Sequence, residues 1–189
     1  GNYYPNSGDL DLCIKCYSKR RAEVAQQRGQ LLSLEELNRV SQSTPFIKGR
    51  FGSNQVTMVF GKPASFKSFL TLDLALTLGT STAVEWFGAP IRKHARTLYV
   101  TNEGVGGLSK RVTAWAKHHD IAKRDIAVNV FTPTTLWDSS TSEPLLDEVT
   151  EMAIAFEADL IIFDTLSSLF GGIGENSSED ISIVLNHLS

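Results

Sequence analysis

Three short runs in this chain carry chemistry by residue type and spacing. The first is GKPASFKS at 61–68. In the pattern G-x-x-x-x-G-K-[ST], backbone N–H groups curl round phosphates, the lysine meets the β/γ oxygens and the hydroxyl binds Mg²⁺. Gly61, Lys67 and Ser68 stand at that spacing, with Lys62, Pro63, Ala64 and Ser65 as the turn. Phe66 occupies the place of the second glycine. It keeps its own N–H, so the loop still offers an anion the orphan donors and positive dipole end of a helix N-terminus. What it forgoes is a glycine's conformational freedom and close backbone approach. An ordinary strand, turn and helix with an exposed lysine accounts for the same residues. The second run is Glu103 followed by GVGG, a carboxylate just past a strand end, where open α/β sheets bind ligands. A first-turn acid favoured by the following helix dipole explains it equally well. The third is DLIIFD, apolar residues closing on Asp164, the form of a buried strand with a carboxylate beside Mg²⁺. Alone, such a strand is common; the three runs together support one another.

The elements between these runs must place them. Residues 56–60, VTMVF, read as a short buried strand leading into the loop. A helix follows from 66 to 78: Leu70, Leu74 and Leu78 recur every four residues beside Phe69, Leu72 and Leu76, so it is apolar over most of its surface and packed on two sides. Residues 86–90 are turn-rich. A strand at 96–102 delivers Glu103, and the glycines at 104, 106 and 107 permit unusual backbone geometry there. The next helix sets Leu108, Val112 and Trp115 on an apolar side against Lys110, Arg111 and Lys117, and closes with His118 and His119. A strand at 126–132 and a polar loop at 133–143 containing Trp137 come next. Pro144 then opens a helix bearing Leu145, Leu146, Val149, Met152, Ala153 and Phe156. After the strand at 158–164, residues 165–175 read as a flexible glycine-rich loop, and Asn176 with Glu179 starts a last helix through Leu188. Alternating strands and helices predict an α/β fold, a mostly parallel sheet flanked by helices.

Residues 1–44 read as an N-terminal appendage and linker. A loop or short hairpin at 1–15 precedes a polar helix at 17–29, whose Lys19, Arg20, Arg21 and Arg28 form a solvated face without interleaved aromatics. Ser33 and Glu36 make a capping box for a short helix at 33–40. Cys13 and Cys16 have C-x-x-C spacing, half of a tetrahedral zinc site, and with no second pair in the chain no metal is expected there. The 189 residues are 42% hydrophobic and 21% charged, an ordinary globular composition. A net charge of −3 gives no global basic footprint, so any nucleic-acid contact must be local or shared among subunits. No stretch reads as a signal peptide or a membrane span, so a cytoplasmic setting is expected.

From residue 45 to 189, the separated runs PFIKGRF, VTMVFGKPASFKSFLTLDLALTLG, TLYVTNEGVGGLSKRVTAWAKHH and DLIIFDTLSSLFGGIGENSSEDI resemble one family. It is that of the RecA-like P-loop ATPases of phage and plasmid replication, the AAA/RepA-type hexameric replicative helicases. The resemblance implies a RecA-like core over 45–189 with ATP and Mg²⁺ as cofactors. By it, Lys67 meets the β/γ phosphates, Ser68 ligates Mg²⁺, Asp164 holds the metal through its water shell, and Glu103 polarises the attacking water. Such chemistry asks for positioning and charge neutralisation, which this set supplies. An aromatic residue before the lysine is a variant the family accepts. Family members continue into a further core strand with a polar sensor residue, then an arginine finger and DNA contacts. The core is therefore expected to be truncated at its C-terminus and a poor ATPase in isolation. A homo-oligomer, a hexameric ring, and single-stranded DNA are the partners implied, with no membrane, and the loop at 165–175 is a candidate to carry the state of the site toward DNA. A non-motor ATP-dependent switch, such as a helicase loader, recombination mediator or regulator, stays open beside the motor, as does a structural domain with a vestigial loop.

Overall fold

A computed structural model describes residues 33–36, 44–138 and 143–171, together with Ser182. Contacts divide the chain into two units, 1–42 and 43–189. Within the first, the capping box is formed: the Ser33 backbone N–H and hydroxyl both donate to the Glu36 carboxylate, at 2.9 and 2.7 Å. Those two bonds hold the Glu36 carboxyl below its ordinary value. The expectations for Cys13, Cys16 and the basic helix at 17–29 lie outside the described residues, as does the final helix apart from Ser182.

In the second unit, three parallel strands, β3 (Thr97–Val100), β4 (Val128–Phe131) and β7 (Leu160–Phe163), pair in the order β4-β3-β7. β3 is central and all four of its residues are buried. Side chains alternate across a strand, and the alternation sorts β3 between two layers. Leu98 and Val100 pack with Val149 of α3 (Asp147–Phe156), with Leu169 of α4 (Leu166–Leu169) and with Phe170. On the opposite face Tyr99 packs with Leu72, Ala75 and Leu76 of α1 (Lys67–Leu78) and Leu108 of α2 (Val105–His118). Helices thus cover both faces of a parallel sheet, as expected of an α/β chain. Each fully buried leucine contributes about 1.5–3 kcal/mol. A third cluster, Phe46, Ile47, Leu74, Leu78, Trp86, Ala89 and Ala95, closes the far end of α1. It includes the hairpin of β1 (Glu85–Trp86) and β2 (Ala89–Pro90), whose turn residues Phe87 and Gly88 both have positive φ, the two-residue turn that matches strand twist.

Three sequence expectations are corrected. The strand expected at 56–60 is not formed: these residues carry no ladder, are exposed, and make no backbone hydrogen bond with any described residue. A strand exists only by pairing, and among the described residues β7 pairs on one edge alone, with β3. Pro144 does not open a helix; it lies in β6 (Glu143–Pro144), paired with β5 (Trp137–Asp138), and α3 starts at Asp147. The unusual backbone geometry expected after Glu103 is found at Gly104, which takes a positive φ, while Gly106 and Gly107 already lie in α2. The expected flexible loop at 165–175 begins as structure: Thr165 caps α4 through a reciprocal bond pair with Ser168, and Leu169 and Phe170 are fully buried.

Candidate phosphate-binding site

The loop at 61–66 is shaped by its own backbone. Ala64 and Phe66 both sit in the left-handed region, at φ 60° and 62°, which curls the chain in the manner from which anion-binding concavities are made. A Cβ on Gly61 would lie 2.9 Å from Ser65 Oγ, so the loop closes on a glycine there. Phe66 is the residue at the cap of α1, and no side chain caps that helix. The N–H groups of Ala64, Phe66, Lys67 and Ser68 therefore have no hydrogen-bond partner among the described residues. Such orphan donors, at the positive end of a helix, are what a phosphate binds. The Lys67 ammonium donates to the carbonyls of Gly61 at 2.7 Å and Lys62 at 3.1 Å. It spans the loop and retains one of its three donors.

Ser68 Oγ donates to Asp164 Oδ1 at 2.8 Å, across 96 residues of sequence. The bond exists because α1 packs on the β3 face whose next-door strand, β7, ends at Phe163 and delivers Asp164 past its C-terminal tip. The Asp164–Thr165 peptide is cis. Tyr99 donates from its phenol to the other oxygen, Asp164 Oδ2, at 2.6 Å, and lies 3.1 Å from Thr71 Oγ1. Burial, with the hydrogen bond and charge of Asp164, pushes the Tyr99 phenol far above its ordinary value, so it stays a donor at every physiological pH. A hydroxyl and a carboxylate are hard oxygen ligands, and together with the cationic loop they fit Mg²⁺ carrying a nucleotide's phosphates.

Glu103 follows β3 by three residues. It is exposed, and it lines the same 1720 Å³ trough as Lys67, Ser68 and Asp164. Its backbone is tied down by mutual bonds with Thr101 Oγ1, at 3.2 and 3.3 Å, while its carboxylate makes no hydrogen bond or ion pair with a described residue. Every residue singled out between 61 and 68 lines this trough too, so the structure brings all the sequence-derived candidates together. Four further residues come with them. Arg111, read from its helix as part of a solvated side, is half-buried at the trough and stands over the Phe69 ring at 5.3 Å. Phe69 in turn packs edge-on to Phe66. Tyr99 and Thr71 were not foreseen, since an aromatic in an apolar strand and a threonine in an apolar helix both read as core.

A family model described as an AAA domain matches residues 23–189. No curated protein and no solved structure matches the chain.

Proposed function

The chain belongs to the AAA domain family, and from that premise we propose that it is an ATP-binding and ATP-hydrolysing RecA-like motor domain, a DNA helicase of phage or plasmid replication. The observation that supports the nucleotide chemistry is the 2.8 Å bond from Ser68 to Asp164, a hydroxyl and a carboxylate suited to a hard cation, beside a loop rich in free N–H donors. Magnesium, when bound there with ATP, neutralises charge on the phosphates and makes the γ-phosphoryl group easier to transfer. Lys67 and the loop amides hold the phosphates, Ser68 and Asp164 hold the cation, and Glu103 orients and accepts a proton from the attacking water. The resemblance to replicative helicases supports the motor, single-stranded DNA as partner and a hexameric ring. Exposed aromatics also flank the loop, Phe60 at 88% and Phe66 at 73%, and apolar surface of that kind suits cover by another subunit. Among the described residues no helix is long and apolar enough to cross a membrane.

The test separates binding from turnover. Lys67→Ala should weaken ATP binding by about 2 kcal/mol, roughly thirtyfold, as expected for a charged hydrogen bond removed. Glu103→Gln should leave affinity within about twofold yet lower turnover by about 10²–10⁴, the usual worth of a general base. Unchanged affinity in Lys67→Ala would mean a vestigial loop, and normal hydrolysis by Glu103→Gln would remove Glu103 from its role. A second reading has one observation behind it: among the described residues the hydrogen bonds of Glu103 are those of its backbone, as suits a slow ATP-dependent switch such as a loader or mediator. Hydrolysis stimulated by single-stranded DNA, with strand displacement, is expected of the motor; nucleotide binding without DNA stimulation is expected of the switch.

A further inference from the structure

Asp164 is gripped on both oxygens, and the two grips come from different places. Ser68 reaches Oδ1 from the start of α1, whereas Tyr99 reaches Oδ2 from the middle of β3, the strand with a ladder on each side. Tyr99 is wholly buried, so its ring cannot swing away. A phenol has one proton to give. Because that proton goes to Asp164, Thr71 is the donor in its 3.1 Å contact with Tyr99, the nearer of the two acceptors open to its hydroxyl, the other being the Ser68 carbonyl at 3.4 Å. The result is a directed chain, Thr71 to Tyr99 to Asp164, in which each bond polarises the next.

We propose that Tyr99, with Thr71 behind it, is a positioning residue for the divalent cation: it fixes the plane of the Asp164 carboxylate so that Oδ1 faces Ser68. This rests on the reading of the site as one for ATP and Mg²⁺. Ser68 would turn a hydroxyl lone pair to the cation while its proton stays donated to Asp164 Oδ1. Tyr99 holds the other oxygen, Oδ2, so the two grips together keep the carboxylate aimed. Partners that orient a metal's ligands typically govern about tenfold to a hundredfold in metal affinity. The role predicts an effect on metal dependence that a packing role would not produce.

Tyr99→Phe keeps the ring among Leu72, Ala75, Leu76 and Leu108 and removes only the hydroxyl. Binding of a fluorescent ATP analogue is measured first in excess EDTA and then along a Mg²⁺ titration, with Mn²⁺ binding followed by electron paramagnetic resonance. The expected result is affinity in EDTA within about twofold of wild type, and a Mg²⁺ midpoint raised about tenfold or more. Thr71→Val reads the chain from its far end, outside the sheet, and should shift the midpoint the same way by less; it serves if Tyr99→Phe loses its thermal transition. A folded Tyr99→Phe with an unmoved Mg²⁺ midpoint overturns this inference and leaves the nucleotide site standing. Wild-type protein without Mg²⁺-dependent nucleotide affinity overturns the reading of the site, and this inference with it.

Discussion

Phe66 sits where a glycine would be at ease, and the structure gives it a glycine's conformation, φ 62° and ψ 21°. For a bulky residue the left-handed region is unfavourable by about 1–2 kcal/mol. The edge-on packing with Phe69, centroids 5.9 Å apart, offsets some of this, since such pairs are worth about 0.5–1.5 kcal/mol. Phe66→Gly should therefore change unfolding free energy by less than about 1 kcal/mol, because relief of the strained φ balances removal of the ring pair, and it should retain ATP binding. Phe66→Ile removes the same ring pair and adds a β-branch at the same φ, so it should cost about 2 kcal/mol or more. Urea denaturation of the two variants checks this, and an isoleucine variant as stable as the glycine one would mean that residue 66 is not held left-handed. The departure at 66 was visible in the sequence; the conformation that gives it meaning was not, because a motif records residue types and not φ. Tyr99 was illegible for another reason. Between Leu98 and Val100 its ring reads as core, which it is. Only the packing of α1 against β3, and β7 at its side, reveals that the hydroxyl has a carboxylate to reach.

At the scale of elements, one carboxylate joins three of them. Asp73, on the middle of α1, accepts the indole N–H of Trp86 from β1 at 2.8 Å and that of Trp115 from α2 at 2.7 Å. Buried indole N–H groups need an acceptor, and hydrogen bonds to a charged group are worth about 1.5–3 kcal/mol each. Asp73→Ala should then destabilise the protein by about 3–5 kcal/mol, allowing for some rescue by water, and Asp73→Asn by less, because one acceptor oxygen remains. Thermal melts followed by tryptophan fluorescence read both the destabilisation and the altered environment of the two indoles. A drop below about 1 kcal/mol in Asp73→Ala would show that the bonds do not hold the elements together. The periodic apolar pattern made α1, α2, β3, β4 and β7 legible in kind, because each buries one stripe or both faces. It missed the β5–β6 hairpin, because Pro144 at the head of an apolar run is a common helix start and only pairing with β5 makes it a strand. It missed α4 because Thr165 and Ser168 cap each other without the acidic partner that marks a capping box.

The whole molecule is uneven in how firmly its strands are held, and that unevenness is measurable. β3 is buried on both faces and laddered on both edges, so its amides open only with the whole domain. Residues 56–60 precede the loop at 61–66 with no ladder, and β7 has β3 as its one partner among the described residues. A strand was expected at 56–60 from its apolar, β-branched composition, but composition states a preference and pairing decides it. Amide protection follows local stability from near zero up to the global value. Hydrogen–deuterium exchange should accordingly find 97–100 the slowest part of the sheet and 56–60 exchanging faster by several orders of magnitude. Since about 1.4 kcal/mol corresponds to tenfold, a domain stable by only about 5 kcal/mol already separates the two by roughly three orders. Adding ATP with Mg²⁺ should slow exchange at 64–68, where the free N–H groups lie, and leave 97–100 unchanged. Equal protection at 56–60 and 97–100 would mean that the segment before the loop is paired in solution after all, with the loop at 61–66 anchored at both ends rather than held chiefly through α1.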